Sequence, residues 1–162
     1  MTAKEAILYS LESTMTLTQS YLADLSDEDI LIRPAPTANH IAWQLGHLIQ
    51  SEIHLLKLDL PGLQYPALPA GFAQQHSNAT CGSTTGFLKK DEYVALFEKV
   101  RNGTMTIVRI LPDDELSKPS EGPLAGMAPT VGTLCLLLAH HTLMHGGQFT
   151  VVRRAIGKPV LF

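Results

Sequence analysis

Seven histidines carry the chemical potential of this chain: His40, His47, His54, His76, His140, His141 and His145. Imidazole binds metals and moves protons near neutral pH. Spacing sorts these seven. His141 and His145 stand four residues apart, so on a helix both rings can reach one point. His140 is rotated by about 100° from His141 and points elsewhere. His40, His47 and His54 follow one another at intervals of seven, about 10.5 Å along a helix axis. Two of them cannot share one ion at ligand distances of about 2 Å. One of the three can meet the His141/His145 pair, and His47 is central in its segment, as the pair is in its own. Three imidazoles leave an open position on a metal, where water or a thiol is acidified. The same residues also suit a metal-free layer of hydrogen-bonded histidines, because buried polar groups need partners.

Other side chains qualify as neighbours of such a site. Trp43, Ser51, Met144 and Gln148 are the candidates for lining its pocket or orienting its ligands. Gln148 follows His145 on the helical seam and could bond a coordinated water or a histidine. Cys135 lies about 120° from His141 and reads as packing. Cys81 falls in a loop, so an activated thiol would have to come from a cofactor. Glu52, about 140° from His47, is poorly placed as a base. Arg153 and Arg154 suit a helix C-terminus, and anion binding is their second reading. The chain has no HExxH, no Glu-x-x-His pair, no phosphate-binding glycine loop and no GxSxG elbow.

Four segments of helical periodicity must position these residues. They run from about Thr2 to Leu25, Ala38 to Leu58, Lys90 to Leu111 and Thr130 to Gly157. The first has a seam at Leu8, Leu11, Met15, Thr18, Leu22 and Leu25. The fourth has one at Leu134, Leu138, His141, His145, Gln148 and Val152. No strand alternation is visible, so the fold class is all-α, a four-helix bundle in a single domain over 1–162. The second and third segments are joined by about 30 residues. That is long enough for a crossover between parallel helices. The second segment is apolar on two sides. Ile41, Leu45, Ile49, Ile53 and Leu56 face away from His47 and predict a homodimer through this helix. The alternative is that the long connection folds over them.

Composition bounds the partners. A net charge of −3 without a basic tract speaks against nucleic acid. The longest apolar run, Leu134 to Ala139, is too short to span a membrane. No targeting segment is visible, so a soluble cytoplasmic protein with a small-molecule substrate is expected. Charged residues are only 17% of the chain, which suggests further buried faces.

The stretch Asn39-His40-Ile41-Ala42-Trp43-Gln44-Leu45-Gly46-His47-Leu48 resembles the helix-two motif of the DinB/YfiT-like superfamily. His141-Thr142-Leu143-Met144-His145-Gly146-Gly147-Gln148, then Arg153-Arg154 and Gly157-Lys158-Pro159, resembles the family's closing motif. The resemblance implies a four-helix bundle of unusual connectivity and one metal on His47, His141 and His145. It implies a divalent ion, with zinc or nickel expected. It further implies a metal-dependent enzyme, either a hydrolase or a transferase or isomerase using a low-molecular-weight thiol such as mycothiol, bacillithiol or glutathione. A metal-binding stress-response module without catalysis is the alternative. Many members carry arginine after the last histidine, where this chain has Gly146-Gly147.

Overall fold

The computed structural model describes every residue except Pro61, Val160 and Phe162. The long helices are α1 (Ala3–Leu22), α2 (Ile41–Asp59), α4 (Lys90–Ile110) and α5 (Val131–Ala155). A single turn, α3 (Phe72–Gln75), lies in the long connection. There is no strand among the described residues. Boundaries differ from the periodicity reading by at most three residues.

Local chemistry sets the ends. Thr2 and Glu5 close a capping box on α1, with bonds of 3.2 and 2.7 Å. Thr130 and Thr133 do the same for α5. His40 caps α2, its Nδ1 accepting the Trp43 amide at 3.1 Å. Gly157 follows α5 at φ 74°, where the Lys158 amide returns to the Arg153 carbonyl at 2.9 Å.

Contacts fix the directions. Ile7 meets Gly132 and Tyr21 meets Gly146, so α1 and α5 run parallel. Lys4 reaches the Leu111 carbonyl and Lys90 the Leu25 carbonyl, so α4 runs against α1. Gln44 near the start of α2 bonds His145 on the later half of α5, while Leu55 shares a cavity with Leu137 and Leu138. Hence α2 is antiparallel to α5 and parallel to α4. The crossover expected from the long connection is present.

Packing divides into two apolar halves. One gathers Ile7, Leu11, Leu56, Met105, Val108, Leu134 and Leu138. The other gathers Leu22, Leu45, Ile49, Phe97, Val100, Phe149 and Val152. On every long helix, polar residues fall between the halves: Thr14 and Thr18, Glu52, Arg101 and Thr104, and His141, Thr142 and His145. The candidate site belongs to this middle layer.

The homodimer surface argued from α2 is corrected. Ile41, Leu45, Ile49 and Leu56 are 0% exposed and Ile53 is 9% exposed. Most of this stripe packs in one cluster with Phe97 and Val100 of α4 and Phe72 of the connection. A helix that is apolar on two sides buries both of them. The connection is tied down by polar bonds. Trp43 Nε1 donates to the Ser77 carbonyl at 3.2 Å, and His40 Nε2 to the Ser83 carbonyl at 3.1 Å. Arg33 donates to the carbonyls of Ala38, Cys81 and Ser83. His76 donates from Nδ1 to the Phe72 carbonyl at 2.7 Å and accepts the Tyr93 hydroxyl at Nε2, 2.6 Å away.

Candidate metal centre

Helix α2 presents His47 and α5 presents His141 and His145 to one point. One ring nitrogen from each lies within 4.8 Å of the others. The rings are mutually inclined, with centroids 4.8 to 5.5 Å apart. His141 Nε2 and His145 Nε2 are 3.1 Å apart. Two nitrogens on a tetrahedral ion at about 2.0–2.1 Å would be about 3.3 Å apart. The His141/His145 pair matches that spacing, and His47 completes a group of three nitrogens that could hold a small divalent ion.

Protonation agrees with that fit. Burial pushes the His145 pKa down to about 3, and the neighbouring His141 and His47 add to it. His141 is pushed down to about 4 by burial, then by His47 and Arg101. His47 is lowered by burial alone. All three rings are neutral at pH 7, each with one nitrogen lone pair.

Gln44 decides which nitrogen His145 offers. Gln44 Nε2 donates to the Asn39 carbonyl at 2.8 Å, so its Oε1 turns to His145 Nδ1, also at 2.8 Å. Nδ1 thus carries the proton and Nε2 faces its neighbours, an outer hydrogen bond typical of metal-ligating histidines. Trp43 stacks on His47 with rings 5.1 Å apart and 7° from parallel.

A cavity of about 620 Å³ opens onto His47 and His141. Ser51, His54, Leu55, Leu137, Leu138, His140 and Met144 line it from the helices. Pro123, Leu124 and Met127 line it from the α4–α5 connection. The Asp59 carboxylate holds that connection, accepting the Ser120 hydroxyl at 2.7 Å and the Glu121 amide at 2.6 Å. Pairing of Pro119 with Thr130 closes its base.

The candidates from sequence divide accordingly. His47, His141 and His145 come together, and Ser51 and Met144 line the cavity. Trp43 is 4% exposed and backs His47 without being among the residues lining the cavity. Gln148 is corrected: it is exposed in a depression beside Pro34 and Ala35. The seam passes instead from His145 to Phe149, which is 0% exposed. A step of three from His145 turns back by about 60°, whereas a step of four turns on by about 40°. His140 does line the cavity, on its exposed rim. His54 lines it too, outside the three-nitrogen cluster. Cys135 is buried, which raises its thiol to about 12. Arg153 pairs with Asp24, holding that carboxyl below its usual range, and also donates to the Tyr21 carbonyl at 2.8 Å. Gly146 lies against Tyr21 of α1, while a side chain at Gly147 would enter open space.

A buried ion pair was not anticipated. Arg101 Nη2 lies 2.9 Å from Glu52 Oε2, with side chains 1% and 2% exposed. Arg101 also donates to the Leu11 carbonyl and to Thr14 and Thr142, while Thr104 donates to Glu52 Oε1 at 2.6 Å. The network joins all four long helices one residue from His141. The signal in sequence was a charge beside Val100 and Thr104 on the apolar face of α4.

Comparisons with known proteins follow the same lines. The model of the DinB superfamily matches residues 10–149. No curated protein matches the sequence. The fold is similar to that of YfiT from Bacillus subtilis, with TM-score 0.69 and 14% identity over 96% of this chain and 89% of that one. YfiT is described as a probable metal-dependent hydrolase with an unusual four-helix bundle topology. A conserved protein from Enterococcus faecalis is also similar, with TM-score 0.71 and 16% identity over 98% of this chain and 99% of that one.

Proposed function

The chain belongs to the DinB superfamily, and from that premise we propose that it is a metal-dependent hydrolase of small molecules. His47, His141 and His145 hold one divalent ion, zinc or nickel in this reading, and the all-nitrogen donor set suits either. The observation that carries this reading is the three-nitrogen cluster opening onto the cavity at His47 and His141. A bound ion supplies Lewis acidity there, polarising a carbonyl and acidifying water near neutral pH.

The chain's own groups do the rest. Gln44 keeps His145 in the ligating tautomer. Trp43 fixes the plane of the His47 ring. Ser51 offers a hydroxyl inside the cavity, and His54 and His140 place their rings on its lining. Hydrolysis is favoured over thiol transfer because no described lining residue bears the charge needed to hold the ionic ends of glutathione.

The test is elemental analysis of protein purified without a histidine tag, coupled to turnover of a panel of small esters and amides. One ion per chain and metal-restored turnover are expected, both lost in His141→Ala and His145→Ala. Stoichiometric metal in the double variant would refute the site. Metal-independent turnover would refute the mechanism.

A further inference from the structure

We propose that this cavity selects molecules with a single anionic head and an apolar body, the size of a medium-chain or aryl carboxylate. The inference rests on the metal reading above and names its substrate class.

Charge comes first. Three neutral imidazoles leave the full double charge of the ion uncompensated. None of the described residues lining the cavity is an Asp, Glu, Lys or Arg. The buried carboxylate of α2, Glu52, has one oxygen on Arg101 and the other on Thr104. It has no charge to lend. A charge in apolar surroundings is stabilised by a counter-charge that comes with the ligand. A carboxylate or a carbonyl gathering negative charge meets that need.

The walls then define the body. Leu55, Leu124, Leu137, Leu138 and Met127 surround the space beyond the histidines. A volume of about 620 Å³ lies within the range of small-molecule sites. A second anionic group would meet no Lys or Arg on this lining, only the ring nitrogens of His54 and His140 at its exposed rim. Peptidic thiols and sugar acids therefore fit poorly, and a chain or ring of carbons fits well. Leu124 and Met127 come from the connection whose start, Ser120 and Glu121, is anchored by Asp59.

Titration calorimetry tests this with acetate, butanoate, hexanoate and octanoate against zinc-loaded and metal-free protein, with glutathione as the many-charged comparator. Zinc content is measured first by dialysis, which tests the metal reading independently. In the zinc-loaded protein, affinity should rise with each methylene by up to about fourfold. Leu124→Ser should keep its zinc and lose part of that gain. The metal-free protein should keep the chain-length trend and bind each acid more weakly. Zinc-loaded protein whose affinity is flat with chain length, or that prefers glutathione to octanoate, overturns the proposal and leaves the metal site standing. Protein that takes up no zinc overturns the metal reading and the anionic head with it. The apolar body is then judged by the chain-length trend of the metal-free protein.

Discussion

Gln44→Met is the sharpest probe of the metal centre, because it alters no ligand and little volume. In the native chain Gln44 Oε1 accepts the His145 Nδ1 proton at 2.8 Å, and Gln44 is 1% exposed. Methionine offers no comparable acceptor, and water cannot easily replace it at that depth. The imidazole then has two poor options. It can keep Nδ1–H unpaired, at about 1–3 kcal/mol. Or it can move the proton to Nε2, which blocks the ligating lone pair. Either lowers metal affinity, and losing such an outer bond typically costs about 10- to 100-fold. That range equals about 1.4–2.8 kcal/mol, in agreement with the price of the unpaired donor. Competition with a chromophoric zinc chelator reads this directly. Gln44→Glu keeps the acceptor for His145 and should bind zinc at least as tightly, although the Asn39 carbonyl loses its donor. The reasoning is refuted if Gln44→Met binds zinc like the wild type while His145→Ala does not.

Three further outcomes follow from the packing and the titrating groups. Arg101→Met leaves Glu52 buried and unpaired and should cost about 3–5 kcal/mol in urea unfolding. The double variant with Glu52→Leu should recover much of that, and an additive pair would show that the ion pair is not coupled. At Gly46 a methyl group would stand 2.0 Å from His76 Cδ2, so Gly46→Ala should cost about 1–3 kcal/mol. In a His76→Ala background the cost should largely vanish, and an equal cost in both backgrounds would discard this contact. Metal-free protein should keep its helical circular dichroism at pH 7, since both apolar clusters draw on all four long helices. Its stability should fall on acidification. Burial lowers the folded-state pKa of His141 to about 4 and of His145 to about 3, and lowers those of His40, His47 and His76. The unfolded chain takes up these protons near pH 6.5, so stability is complete above that pH and drains away as pH falls toward 4. A urea midpoint equal at pH 7.5 and pH 5 would contradict this.

Helical periodicity determined much of this protein on its own. Angular relations within one helix follow from 3.6 residues per turn. That was enough to pair His141 with His145, to separate His47 from His40 and His54, and to place four long helices. Chain length alone made the parallel α2–α4 crossover accessible. The same arithmetic fails where the neighbour is on another element. Gln148 looked like the partner of His145, yet Gln44 holds that role from α2, one hundred and one positions away. The apolar stripe of Ile41, Leu45 and Ile49 signalled burial correctly, but not by what. Only the folded chain showed α4 and the docked connection covering it. Arg101 and Glu52 each look solvent-facing by residue type. Their burial is tolerable only because each neutralises the other and Thr14, Thr104 and Thr142 complete their bonds. The apolar character of the cavity was hidden for the same reason. Its walls come from α2, α5 and the α4–α5 connection, and only tertiary packing makes one surface of them.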